Sequence, residues 1–168
     1  KMFNISGTCE FDESFAELNL VPLSISYEYE PCCALKVKEI SVTLQGQAYQ
    51  KAPHEDLMSI VTGITQQKGR IHLSVCRPVN RFLHESLDTT VYNERINRLA
   101  SGIDMEIYRH YTLWPTNYIA CDLLNNNTAY AYKYTSAEKE EFIDYMHREL
   151  SGQKIDNPEH VELMLKLY

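Results

Sequence analysis

From Leu18 to Pro31 the chain reads LNLVPLSISYEYEP, and Val21, Leu23, Ile25, Tyr27 and Tyr29 alternate with Ser24, Ser26, Glu28 and Glu30. An apolar residue at every second position marks a strand with one face turned to a core. Pro22 has no N–H for a central ladder, so it belongs at the beginning of that strand. Upstream, Phe11, Phe15 and Leu18 recur at helical spacing, with Asp12 and Glu13 near the positive end of the helix dipole. They predict a helix that feeds the strand.

Beyond the turn at Pro31, residues 34–43 fit a short helix and a strand equally, and residues 46–53 are a polar loop. Leu57, Ile60, Val61 and Ile64 form one apolar helical stripe, opened by Pro53, Glu55 and Asp56 and closed by Lys68 and Gly69. The run RIHLSVCRPV, Arg70 to Val79, alternates again, with Ile71, Leu73 and Val75 on one face and His72, Ser74 and Cys76 on the other. Two strands separated by a helix of this length predict a right-handed crossover and parallel pairing. Two strands alone make a poor sheet, which points to further strands upstream of this chain.

The remainder reads as helix. Tyr92, Ile96, Leu99, Ile103 and Ile107 predict a helix over residues 90–111, capped by Asp88, Thr89 or Thr90. Trp114-Pro115 interrupts, and Thr116-Asn117 caps a short apolar segment, Tyr118 to Leu124. Thr135-x-x-Glu138 is a capping box for a helix that ends near Leu150 and Gly152. Asn157 and Pro158 open the terminal helix, with Val161, Met164, Leu165 and Tyr168 as its buried side. The expected fold class is therefore α/β: a partial parallel or mixed sheet with strands near residues 20–30 and 70–79, a crossover helix and a helical C-terminal extension. One domain over residues 1–168 is expected, with an α/β part over 1–80 and the extension over 88–168.

Composition narrows the classes. With 168 residues and 44% apolar positions the chain can bury a substantial core, and no run approaches the ~18 apolar residues of a spanning helix. A net charge of −7 argues against nucleic acid as a partner. Cys9, Cys32, Cys33, Cys76 and Cys121 are odd in number beside no visible export signal, the pattern of reduced thiols in a cytoplasmic setting. Their spacing completes no zinc site, so no metal is expected. Lys1-Met2 leaves two readings, an initiator at Met2 or the C-terminal part of a longer chain, and the second is expected.

Candidate chemistry is sparse. His72 and Cys76 share a strand face but lie ~13 Å apart, too far for a base and its nucleophile. His84 and Asp88 fit a polar loop and a helix cap. Glu138, Glu140 and Glu141 suit a helix N-terminus. Lys36, Lys38, Lys51, Lys68, Arg70, Arg77 and Arg81 cluster around the two strands, where they could meet a phosphate or merely solubilise the surface. Twelve tyrosines, many between Tyr108 and Tyr145, suit a membrane interface or packing between helices.

Val21-Pro22-Leu23-Ser24-Ile25, opening a strand, resembles the Val-Pro block of the glycerophosphate and lysophosphatidate acyltransferase superfamily. The longer runs Lys1 to Phe3, Ser24 to Cys32, Gly69 to His72 and Leu113 to Ala120 resemble the C-terminal half of 1-acyl-glycerol-3-phosphate acyltransferase-like proteins of Bacteroides-type bacteria. The resemblance implies a transferase of phospholipid biosynthesis that moves an acyl group from acyl-CoA or acyl carrier protein to a lysophosphatidate-like lipid acceptor. It implies no further cofactor. Its catalytic His-x-x-x-x-Asp and its Glu-Gly-x-Arg block do not occur in this chain, so catalytic residues are expected upstream and none within residues 1–168. Val21 and Pro22 are then substrate-binding, as pocket wall. A cytoplasmic protein with peripheral contact at the inner face of the cell membrane is the implied setting, and a homodimer stays open. The alternative is a small non-catalytic α/β binding or interaction module.

Overall fold

The computed structural model describes residues 18–81 and 91–168. The predicted helix around Phe11, the loop residues His84 and Asp88, and Cys9 lie outside them. The described elements are β1 (Leu23–Tyr27), α1 (Cys33–Leu44), α2 (Glu55–Thr65), β2 (Ile71–Val75), α3 (Tyr92–His110), α4 (Pro115–Leu124), α5 (Ser136–Gly152) and α6 (Pro158–Leu167), with single 3₁₀ turns at Val79–Arg81 and Ala131–Lys133. The described chain is thus mostly helical with one small sheet. Its described residues fall into two compact units, one from residues 18–26, 72–81 and 91–112, the other from Tyr27–Ile71 and Leu113–Tyr168.

The expected parallel pairing and crossover are not what forms. Glu28 N–H donates to Arg70 O (2.9 Å) and Cys76 N–H to Pro22 O (3.0 Å), so pairing advances along β1 while it retreats along β2, and the two strands are antiparallel. The physical reason is where the two connecting helices go. Cys33, Ala34, Val37 and Ser41 turn to a helical core and α1 packs on α6 and α5, while α2, the expected crossover helix, has no buried residue, so neither covers a sheet face as a crossover helix must. The chain then returns beside the end of β1, where Tyr29 N–H donates to Lys68 O (3.0 Å).

In the first unit the expected burial is inverted. Ser24 and Ser26 are buried, while Val21, Leu23, Ile25, Leu73 and Val75 are exposed at 40% or more. Ser24 Oγ donates to the carbonyl of Ile107 (3.1 Å), and Cys76 Sγ to that of Glu106 (3.7 Å). Small hydroxyl and thiol side chains let the backbone of α3 approach the sheet, and they offer donors to its carbonyls; Leu or Ile offers neither. Leu99 of α3 and Val79 are buried in the same unit.

The second unit carries the larger core. Phe142, Tyr145, Met146 and Leu150 of α5 meet Ile119 and Ala120 of α4, Val37 of α1 and Met164 of α6. Local chemistry sets the helix ends. Thr135 Oγ1 accepts from Glu138 N–H (3.2 Å) while the Glu138 carboxylate accepts from Thr135 N–H (2.8 Å), a complete capping box. Asn157 Oδ1 accepts from His160 N–H (3.0 Å) at the start of α6, with Pro158 in its first turn.

Candidate functional site

The register places Leu23 opposite Val75 and Ile25 opposite Leu73, since pairs such as Glu28 with Arg70 and Pro22 with Cys76 set the ladder. Val21 extends this face at the head of β1. Val21 and Pro22, the expected pocket wall, therefore split: Val21 is 40% exposed on the apolar face, and Pro22 is half-buried with its carbonyl engaged by Cys76. Val21, Leu23, Ile25, Leu73 and Val75 make this face a ready apolar wall.

Behind it, Glu106 is the charged centre of the first unit. Its carboxylate is 2% exposed and accepts from Arg77 Nε (3.1 Å), Arg77 Nη2 and Arg109 Nη1 (3.1 Å). The hydrogen bonds from the Arg77 guanidinium hold its carboxyl down to about 2 against an ordinary 4.5. His110 donates from Nδ1 to the Glu106 carbonyl (2.8 Å).

In the second unit, three of the runs that carry the resemblance meet. Arg70 donates from Nη2 (2.6 Å) and Nε (3.1 Å) to the Glu28 carboxylate, which also accepts Arg70 N–H (2.8 Å). The guanidinium lies 5.4 Å from the Trp114 ring centroid and reaches Glu138 (3.3 Å). Thr116 Oγ1 donates to the Glu28 carbonyl (2.7 Å). Burial pushes the Glu28 carboxyl up, yet the bonds from Arg70 win and hold it below the usual carboxylate range. Gly69 makes this contact possible: its φ is +62°, and a Cβ there would stand 2.6 Å from Glu28 Oε2. The Gly69-Arg70 pair thus serves backbone geometry and carboxylate binding together. The pattern alone marked Glu28 only as a polar, outward position.

Five of the seven basic residues named around the strands are engaged by neighbours within the fold. Arg70 and Arg77 serve Glu28 and Glu106, Lys36 pairs with Glu30 (3.3 Å), Lys51 pairs with Asp56 (2.6 Å), and Lys68 donates to the carbonyls of Ile64 and Gln66. The two buried thiols among the described residues, Cys33 and Cys76, offer no ready nucleophile. Burial pushes the Cys33 thiol up to about 12, and Cys76 is buried against α3.

One constellation escaped the sequence pattern. His147 Nδ1 lies 2.9 Å from Asp156 Oδ1, and Ser151 Oγ donates to Asp156 Oδ2 (3.0 Å), across the turn between α5 and α6. The hydrogen bond with His147 holds the Asp156 carboxyl below its usual range. Both residues border a groove of about 570 Å³ lined also by Leu123, Leu124, Val161 and Leu165. Aspartate, not histidine, is central here, so no serine is activated; the bonds fasten the turn. A spacing of nine residues across a helix end carries no periodic signal. Among the described residues, no three His, Cys, Asp or Glu side chains converge as a metal requires. No described helix is long and apolar enough to cross a membrane. In comparisons with family models, curated proteins and solved structures, nothing significantly similar to this chain was found.

Proposed function

We propose that this chain is the C-terminal portion of a glycerophospholipid acyltransferase and contributes walls and surfaces, not the reacting groups. The observation that carries the reading is the outward apolar face of β1 and β2, headed by Val21. Five large apolar side chains at 40% or more exposure are a surface that water penalises, and cover by upstream strands or by an acyl chain would remove the penalty. In the proposed reaction a histidine upstream takes the proton of the acceptor hydroxyl, and the oxygen attacks the thioester carbonyl. The acyl C–S bond breaks, and the thiolate leaves with a proton returned to it. This chain's part is to hold the lipid beside that centre.

The test is capture of the protein from its native cell with an antibody raised against residues 1–168. The expected product is well above 19.5 kDa, carries a His-x-x-x-x-Asp upstream, and transfers acyl groups from acyl-CoA or acyl carrier protein to lysophosphatidate. A 19.5 kDa product, or one that turns over neither donor with any lysolipid, would sink the reading. The second reading, a non-catalytic interaction module, is favoured by one observation: the charged groups of Arg70, Lys36 and Lys51 are spent on neighbouring carboxylates. It requires a monomer or dimer that unfolds cooperatively without aggregating.

A further inference from the structure

We infer that α2 is a membrane-contacting helix that enters the interface of a bilayer of neutral headgroups. None of its residues is buried. Leu57, Met58, Ile60, Val61 and Ile64 are 57, 58, 60, 41 and 72% exposed, so the apolar stripe legible in the sequence faces outward. The opposite face is small: Cys32 Sγ donates to the Ser59 carbonyl (3.5 Å), and a Cβ on Gly63 would stand 3.6 Å from the same sulfur. The helix therefore rests on its small side and presents its apolar side.

The charge pattern selects the occupant. No charged residue or histidine occurs from Leu57 through Gln67. The two acids of the first turn are occupied, Glu55 by Tyr49 Oη (2.6 Å) and Ala52 N–H (2.8 Å), and Asp56 by Lys51. At the other end Thr65 Oγ1 donates to the Val61 carbonyl (2.8 Å), and Lys68 Nζ donates to the carbonyls of Ile64 (3.1 Å) and Gln66 (3.0 Å). The first-turn acids and the Thr65 hydroxyl thus have partners, and Lys68 sits at the helix end, where it can reach the headgroup level. The stripe exposes on the order of 500 Å². That is less than the ~800 Å² each partner of a stable protein interface contributes, and a bilayer needs no matching rim of hydrogen bonds. A net charge of −7 gives no attraction to anionic lipid, so apolar insertion is the driving force. The inference deepens the acyl-transfer reading, in which the acceptor resides in a bilayer.

The experiment is flotation of the purified protein with phosphatidylcholine vesicles, and with the same vesicles containing phosphatidylglycerol, in the absence of any acyl donor. Wild type floats with both. The Ile60→Glu/Ile64→Glu variant loses about tenfold or more in partitioning, while Thr128→Glu/Tyr132→Glu, the same change in charge elsewhere on the second unit, floats like wild type. Trp114 emission and circular dichroism check that each variant is folded, and Ile64→Ser gives a smaller loss should the double variant misfold. Four results overturn the inference: no flotation with phosphatidylcholine, flotation only with the anionic lipid, an unaffected double variant, or a lipid-free wild-type dimer that the double variant makes monomeric. Because no turnover is read, failure of the acyltransferase assay leaves this result untouched, and the reverse also holds.

Discussion

Gly69 and Gly46 form a natural pair for measuring what a close approach is worth. Both have left-handed backbones, φ +62° and +75°, and both belong to the second unit. A Cβ on Gly46 meets nothing within 4 Å, whereas on Gly69 it meets Glu28 Oε2 at 2.6 Å and Tyr29 Cδ2 at 2.7 Å. Gly46→Ala therefore bears only the backbone term, about 1 kcal/mol. Gly69→Ala bears that term and the contact. The carboxylate cannot swing aside without loosening three donors of Arg70, and the Tyr29 ring is packed 4.7 Å from that of Tyr145. Forcing such groups apart costs ~1–3 kcal/mol, so Gly69→Ala is expected to lose roughly 2–4 kcal/mol in all. Urea unfolding followed by Trp114, the only tryptophan and part of the same cluster, reads both variants in one transition. Equal losses for the two variants would refute the idea that Gly69 is needed for close approach.

Ser26 Oγ is buried with no hydrogen-bond partner among the described residues, so Ser26→Ala is expected to be neutral or to stabilise by up to about 1 kcal/mol in thermal unfolding. A clear loss would mean that the hydroxyl has a partner in solution. Glu106 titrates about 2 when folded against an ordinary 4.5. Its depressed value means that its contribution is fully present above 4.5 and fades as pH falls toward 2. Urea midpoints measured across that window should fall less steeply for Glu106→Gln than for wild type, and parallel slopes would contradict the assignment. Thr135→Ala removes the cap of α5 and should cost about 1 kcal/mol in thermal unfolding, with a loss indistinguishable from zero counting against the capping box.

What the sequence made legible was the chemistry that acts within a few residues. Thr135 with Glu138 and Asn157 with Pro158 each begin a helix through neighbours in the chain, and α5 and α6 start there; at α4 the expected cap at Thr116-Asn117 falls late, because the helix opens at Pro115 after Trp114 and Thr116 Oγ1 donates to the Glu28 carbonyl instead. Residues 34–43 were ambiguous because Val37 and Ser41 gain their helical environment from α5 and α6, more than ninety residues downstream. The direction of β2 was illegible for a similar reason. A helix between two strands implies a crossover only if it packs on the sheet, and neither α1, which joins the helical core, nor α2, none of whose residues is buried, does so. His147 and Asp156 were hidden because the turn that joins them brings together positions of no shared period.

The inverted sheet face marks a deeper limit. Alternation fixes that two faces differ, but it is symmetric between inside and outside, and only the partner breaks the symmetry. On β1 the partner is a helix backbone, and the donors Ser24 and Cys76 meet its carbonyls at Ile107 and Glu106. A polar face turned inward costs least where its groups are satisfied, as Ser24 and Glu28 are; Ser26 Oγ has no hydrogen-bond partner among the described residues. The cost is then shifted to the other side, where Val21, Leu23 and Ile25 face water. The same inversion recurs on α2, whose small side is turned to Cys32. Two elements with their apolar sides outward call for cover that the described residues do not supply. The two faces differ in what can supply it: among the described residues β1 and β2 form a two-stranded sheet that further strands can extend, whereas α2 offers only side chains, the condition a lipid surface accepts.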